Sequence, residues 1–195
     1  MNQKKTLVLV LLALVLLLGV SRVMYDKLGA NLSSGGISMQ ETSSTQTDTE
    51  NEPVAAPDFT VLNWEGGEAS LSDFQDKPVI INFWASWCGP CKSEMADFDA
   101  AYQKWGGEVE FMMINMTDGG RETVDSAKGY VEQEGFSFPV YFDTQYSAAI
   151  AYGASALPTT YFIDAEGYAI ARAVGPLDTE TLEKGIGMIL PEKGE

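Results

Sequence analysis

Apolar runs and polar stretches divide the chain into three parts. An apolar run over 7–20 follows the basic pair Lys4-Lys5, and residues 31–57 are rich in Ser, Thr, Gln and Glu. From Asp58 onward, apolar runs alternate with turn residues, which is typical of a folded domain. The pattern predicts an N-terminal membrane segment over 1–30, a disordered linker over 31–57 and one domain over 58–195.

Within the domain, the apolar periods predict seven strands and four helices. The run over 79–84 is nearly continuous, as expected for a strand covered on both faces. Met95, Phe98, Tyr102 and Trp105 recur at helical spacing and predict one stripe of an amphipathic helix. Further strands are predicted at 59–62, 68–71, 109–116, 140–142, 159–163 and 168–174, and further helices at 124–134, 146–152 and 178–190. This order predicts an α/β fold with a central mixed sheet flanked by helices.

The N-terminal segment indicates that the chain is exported. Lysines before an apolar run keep the N-terminus inside the cell and send the rest across the membrane. If Arg22 snorkels, the span over 6–25 is about long enough to cross a bilayer. No small-x-small cleavage site follows Val20, which favours an uncleaved single-pass anchor with the domain on the extracytoplasmic side. A removed signal peptide is the alternative.

The charge of the chain argues against one class of function. The sequence holds 28 acidic and 12 basic residues, a net charge of −16 at pH 7. Nucleic-acid affinity comes largely from lysine and arginine neutralising phosphates, so we expect no nucleic-acid binding. The acidity fits a soluble, self-repelling surface, and an acidic docking face is the alternative.

The composition narrows the chemistry to one pair of residues. No histidine is present, which excludes Ser-His-Asp and Cys-His catalysis and histidine metal ligands. Two cysteines are too few for an all-cysteine zinc or iron–sulfur site within one chain, and Lys92 after Cys91 excludes a haem-attachment motif. We expect no metal and no cofactor. The pair Cys88 and Cys91 is either inert or redox-active.

The two cysteines stand where a buried strand is predicted to turn into a helix, in the order Trp87-Cys88-Gly89-Pro90-Cys91. The free N–H groups and partial positive charge of a helix start stabilise a thiolate on Cys88. Cys91 follows one turn further in and is placed to attack a mixed disulfide. A purely structural disulfide would close a loop of two residues and gain little stability. The pattern therefore favours a redox dithiol.

Four segments resemble a known family. Residues 82–92 resemble the thioredoxin active-site segment, and Leu157-Pro158-Thr159-Thr160 resembles the loop that carries the thioredoxin cis-proline. Residues 138–143 and 163–167 resemble elements of the membrane-anchored TlpA/ResA-like branch. The resemblance covers about residues 56–195. It implies a thioredoxin fold with an added N-terminal β-hairpin and a central insertion.

The same resemblance assigns site residues one by one. Pro158, after Leu157, matches the proline whose cis bond places the preceding backbone opposite the dithiol. Trp84 and Trp87 are expected to pack around the site, although a core role alone would account for Trp84.

The expected proton acceptor differs from that of cytosolic thioredoxin. Asn82 stands where cytosolic thioredoxins carry a buried aspartate, and asparagine cannot titrate. Glu94, three residues after Cys91, matches a glutamate that lies near the dithiol in ResA-like proteins. A half-buried carboxyl there could take or give a proton. An ordinary solvated helix glutamate is the alternative.

The resemblance implies a thiol–disulfide oxidoreductase that works as a reductase outside the membrane. Its clients would be apocytochrome c or other exported proteins, held in transient mixed disulfides, and a membrane donor of the CcdA/DsbD type would re-reduce it. A thioredoxin-fold adaptor without turnover has no need of the intact motif. A peroxidase is disfavoured because Ala85 stands where peroxiredoxins carry threonine, three residues before the cysteine.

Overall fold

The computed structural model describes residues 54–191. The predicted anchor over 1–30 and the linker up to residue 53 lie outside the described residues. Within 54–191, none of the helices combines the length and apolar character needed to cross a bilayer.

Strands and helices follow the predicted order closely. The described strands are β1 (Thr60–Leu62), β2 (Glu68–Ser70), β3 (Val79–Trp84), β4 (Glu110–Asn115), β5 (Val140–Phe142), β6 (Thr159–Ile163) and β7 (Ala169–Val174). The described α-helices are α1 (Gly89–Trp105), α2 (Val124–Glu134), α3 (Ser147–Tyr152) and α4 (Thr179–Ile189). Asp178 caps α4, because its carboxylate accepts a hydrogen bond from the Thr181 N–H at 2.8 Å.

All seven strands form one mixed sheet in the order β2-β1-β5-β4-β3-β6-β7. β3, β4 and β5 are parallel, whereas β6 and β7 run antiparallel at one edge. At the other edge, β1 and β2 form the predicted N-terminal hairpin, which joins the sheet through β5. The expected α/β mixed sheet is confirmed.

Two apolar clusters cover the two faces of the sheet. Every residue of β3 is buried, and Ile80 and Trp84 belong to the cluster that also contains side chains of α1, α2 and α4. Ile81 and Phe83 belong to the second cluster, with side chains of α3 and the N-terminal hairpin. The continuous apolar run thus reflects burial on both faces. β3 is a central strand that ends between these layers, so the cysteine motif lies at the carboxyl end of the parallel strands.

Several predicted strand and helix ends differ from the structure by one residue. The second strand ends at Ser70 rather than Leu71, because the Asp73 carboxylate accepts a hydrogen bond from the Ser70 N–H at 2.8 Å and a 3-10 helix begins. The folded part of the chain also begins before Asp58, the predicted start of the domain. The Ala56 N–H donates to the Gly167 carbonyl at 2.9 Å, so the end of the expected linker lies along the β6–β7 hairpin.

Candidate active site

The cysteine pair lies at the first turn of α1. Cys88 is the N-cap residue and Pro90 lies in the first turn, where a missing N–H is tolerated. The two sulfurs form a disulfide of 2.08 Å. The Cys91 N–H donates to Cys88 Sγ at 3.2 Å, as expected where a helix start faces a sulfur. Cys88 is 4% exposed and Cys91 is fully buried, so Cys88 is the more accessible sulfur.

A tight turn carries the chain from β3 to the dithiol. The Cys88 N–H donates to the Ala85 carbonyl at 3.1 Å. Trp84 is fully buried, whereas Trp87 remains 41% exposed beside Cys88. Trp84 therefore belongs to the core, and Trp87 forms part of the surface around the dithiol.

The peptide bond between Leu157 and Pro158 is cis, as the resemblance predicts. Pro158 directly precedes β6, which lies next to β3, and Thr159 is in register with Phe83. The Pro158 carbonyl accepts a hydrogen bond from the Gly175 N–H at 2.9 Å. This arrangement places Leu157 in the same groove as Cys88.

Glu94 is fully buried, more so than the half-buried carboxyl that the sequence suggests, and the alternative of an ordinary solvated glutamate is wrong. Its Oε1 accepts a hydrogen bond from Asn82 Nδ2 at 2.8 Å, and its Oε2 accepts one from the Leu177 N–H at 2.8 Å. Burial raises the pKa of Glu94 from 4.5 to about 7, against these two hydrogen bonds, which lower it. A carboxyl with this pKa exchanges protons near neutral pH.

Asn82 connects Glu94 to the strand that follows the cis-proline. Its Nδ2 also donates to Thr160 Oγ1 at 3.0 Å, while its buried Oδ1 has no hydrogen-bond partner among the described residues. The hydrogen-bond partners of Glu94 are thus Asn82 and Leu177.

A second buried carboxylate supports the turn before the dithiol, and the sequence analysis did not identify it. Glu122 is fully buried and accepts hydrogen bonds from the Ser86 N–H at 3.0 Å and the Ser86 hydroxyl at 2.8 Å. Asn115 Nδ2 donates to the same carboxylate at 2.8 Å. Glu122 lies in a polar loop, and nothing in its sequence neighbourhood distinguishes it from a solvated loop residue.

An open groove of about 490 Å³ runs past Cys88. It is lined by the dithiol turn, the loop after β4, the start of α3 and the loop before β6. Two of its aromatic side chains, Trp87 and Tyr146, are exposed at 41% and 39%. Across residues 54–191, no group of three or more acidic or cysteine side chains is placed to hold a metal ion.

Comparison with known proteins agrees with this geometry. Residues 54–171 match the model of the AhpC/TSA family. The thiol-disulfide oxidoreductase ResA of Bacillus thuringiensis (strain Al Hakam) is 34% identical over 137 residues, which cover 70% of this chain and 77% of that protein. The chain therefore belongs to the AhpC/TSA family. It is a thiol-disulfide oxidoreductase of the ResA kind, with Cys88 and Cys91 as its cysteine pair.

Two solved structures share the fold. The thiol:disulfide interchange protein of the thioredoxin family from Chlorobium tepidum TLS superposes with a TM-score of 0.64 at 27% identity, covering 73% of this chain and all of that chain. The pneumococcal exposed lipoprotein thioredoxin Etrx1 from Streptococcus pneumoniae strain TIGR4 gives a TM-score of 0.57 at 25% identity, covering 67% of this chain and 98% of that one. The predicted thioredoxin fold and the predicted family are confirmed.

Proposed function

We propose that this thiol-disulfide oxidoreductase is an extracytoplasmic reductase of protein disulfides, tethered by its N-terminal segment. The observation that carries the reductase part of the proposal is the burial of the Glu94 carboxyl on α1, three residues after Cys91. This burial raises the pKa of Glu94 to about 7. Reduction of a client requires the second cysteine to lose a proton, and the role of acceptor falls in this proposal to Glu94, the buried carboxyl one helical turn further along α1.

In the first step, the Cys88 thiolate attacks one sulfur of a client disulfide. A bond forms between Cys88 and the client, and the other client sulfur leaves as a thiolate. Cys88 suits this role because it is the more exposed cysteine and caps α1. The amide of Cys91, which donates to Cys88 Sγ, stabilises negative charge on that sulfur.

In the second step, Cys91 transfers its proton to Glu94 and attacks Cys88 Sγ. The Cys88–Cys91 disulfide forms, the bond to the client breaks, and the client sulfur leaves with the electron pair. Two electrons have passed from the dithiol to the client. The Asn82 amide and the Leu177 N–H hold the Glu94 carboxylate in place and also limit how far its pKa rises.

Exported proteins with disulfides, including apocytochrome c, are the proposed clients, and a membrane protein dithiol of the CcdA/DsbD type is the proposed electron donor. The Gly89-Pro90 pair between the cysteines resembles the corresponding pair of the reducing thioredoxins. The likeness to an exposed lipoprotein thioredoxin supports a location outside the membrane.

Trapping of mixed disulfides tests this function. A Cys91→Ser variant, expressed at full length in the native cell, should accumulate exported proteins linked to Cys88. These adducts should disappear on adding dithiothreitol. The matched Cys88→Ser variant should trap far fewer. Equal trapping by the two variants, or trapping of cytoplasmic proteins alone, would contradict the proposal.

Cell fractionation tests the tether separately. The full-length protein should sediment with membranes and retain residues 1–30, and protease added outside the cytoplasmic membrane should degrade its domain. A mature N-terminus inside residues 26–57 would show that the segment is a removed signal.

A further inference from the structure

Arg121 lies over the tryptophan that precedes the exposed cysteine. Its guanidinium carbon is 3.7 Å from the centre of the Trp87 ring, within the range of a cation–π contact. Both side chains line the groove beside Cys88. Among the described residues that line this groove, Arg121 is the only basic one.

Among the described residues the guanidinium of Arg121 forms no direct ion pair, although its charge helps to lower the pKa of the nearby Asp118. Within residues 54–191 it forms no salt bridge within 4 Å and no hydrogen bond. Asp118, the other charged residue of the groove, uses its Oδ1 to accept hydrogen bonds from the Gly120 N–H at 2.7 Å and the Glu122 N–H at 2.9 Å. The five N–H donors of Arg121 are therefore available to a ligand.

The position of Arg121 is fixed by its chain neighbour. Glu122 is buried and bonded to both the backbone and the hydroxyl of Ser86. Because Ser86 precedes Trp87 and Glu122 follows Arg121, the pairing of Glu122 with Ser86 sets Arg121 against Trp87. Arg121 is thus an exposed cation on a loop that Glu122 anchors next to the dithiol, with its guanidinium over Trp87.

The geometry points to Arg121 as a specificity residue that binds an acidic side chain of the client close to its reacting cysteine. This inference rests on the reductase function proposed above and names the class of client. A guanidinium presents paired donors that match a carboxylate. The domain from Asp58 onward carries 23 acidic and 8 basic residues, so its surface repels acidic segments in general. Among the described residues that line the groove, Arg121 balances the charge of Asp118, so the docking site does not share the excess negative charge of the domain surface.

Reduction of matched peptide disulfides tests this inference. The substrates are symmetric disulfide-linked dimers of a neutral peptide with one cysteine, carrying either Asp or Asn at one position within three residues of that cysteine. Rate constants for their reduction by the reduced wild-type protein and by Arg121→Met are measured by stopped flow at low and high salt. For each protein, the rate constant for the Asp dimer is divided by that for the Asn dimer. For at least one position this ratio should be about two- to five-fold higher in wild type than in Arg121→Met, and the difference should shrink at high salt.

Lys104→Met is the matched control. It also removes one cation that lies over a tryptophan. Lys104 is near the far end of α1, about 20 Å from the cysteine pair at 1.5 Å per residue. Lys104→Met should therefore keep the wild-type ratio of the Asp and Asn rate constants. Equal ratios in wild type and Arg121→Met at every position would overturn the inference. So would an equal slowing of the Asp and Asn dimers, which would mean that Arg121 acts on Cys88 rather than on the client. If the wild type reduces none of the dimers, the reductase function itself fails.

Discussion

Asn82 and Glu94 face each other across the junction of β3 and α1, with 2.8 Å between Asn82 Nδ2 and Glu94 Oε1. Both side chains are fully buried. Cytosolic thioredoxins, which this active-site segment resembles, carry an acid on the strand. Here the acid is on the helix, and the strand supplies an amide that binds it. The titratable group is thereby placed on the same element as the cysteines.

The first prediction concerns stability. Because the folded-state pKa of Glu94 is raised from 4.5 to about 7, the native state holds a proton that the unfolded chain releases in this interval. The contribution of Glu94 to stability is therefore fully present below about pH 4.5 and is lost as pH rises to about 7, a loss of about 3 kcal/mol. Glu94→Gln removes this loss. The Asn82 amide can turn so that its unpartnered Oδ1 accepts from the new side-chain amide.

Urea unfolding of the disulfide form at pH 4.5, 6 and 8 checks this prediction. The free energy of unfolding of Glu94→Gln, relative to wild type, should increase by about 3 kcal/mol between pH 4.5 and 8. Asp143, whose pKa burial also raises, contributes equally to both proteins and cancels in the difference. A difference that does not change with pH would contradict the prediction.

The second prediction concerns the order of the cysteines. Cys88 caps α1 and retains some exposure, whereas Cys91 is fully buried. At pH 7 iodoacetamide should alkylate Cys91→Ser, which keeps Cys88, at least about ten times faster than Cys88→Ser, because the Cys88 sulfur faces the start of α1 and is the more exposed. Mass spectrometry of timed samples measures both rates. Faster alkylation of Cys88→Ser would reverse the assignment.

The structure shows why the sequence predicted some parts of this site and missed others. β3, the cysteine motif and the start of α1 are continuous in the chain, so their local pattern was sufficient. The burial of Glu94 depends on Leu177, which is 83 residues away in sequence. A glutamate on an amphipathic helix has the same local pattern whether or not a distant segment covers it. Its functional assignment therefore rested on resemblance rather than on periodicity.

The same reasoning applies to the contact between Ser86 and Glu122, which are 36 residues apart. The sequence suggested a polar loop after β4, and a polar loop is normally solvated. That this loop folds back onto the dithiol turn is a property of tertiary packing. Arg121 was overlooked for the same reason.

The third prediction tests this support of the turn. Glu122→Ala leaves the Ser86 N–H, the Ser86 hydroxyl and Asn115 Nδ2 without their acceptor. Buried donors without partners should lower the free energy of unfolding by about 2–4 kcal/mol. Glu122→Gln keeps an acceptor and should cost less. Glu132→Ala, an exposed glutamate on α2, should stay within about 0.5 kcal/mol of wild type in the same urea titration. A Glu122→Ala loss as small as that of Glu132→Ala would refute the supporting role.

The fourth prediction concerns the role of Glu94 in turnover. Below pH 7 Glu94 is mostly protonated and cannot accept the Cys91 proton, whereas above pH 7 it is ionised and can. In wild type the rate of the second step should therefore rise with pH through about 7. Glu94→Gln should slow this step by about ten- to a thousand-fold at neutral pH and remove the inflection. Single-turnover stopped flow from pH 6 to 9, starting from a preformed mixed disulfide on Cys88, isolates the step.

Asp97→Asn is the matched control for this kinetic test, because it removes a carboxylate from the same helix one turn further along. The charge of Asp97 raises the pKa of Glu94, so its loss should shift the inflection to lower pH. The maximal rate should stay within about two-fold of wild type, since Asp97 is bonded to Thr179 rather than to the dithiol. A purely structural role for Glu94 would lower the rate at every pH and leave the inflection in place. Superimposable profiles of wild type and Glu94→Gln would exclude Glu94 as the proton acceptor and direct the search to solvent at the open side of Cys88.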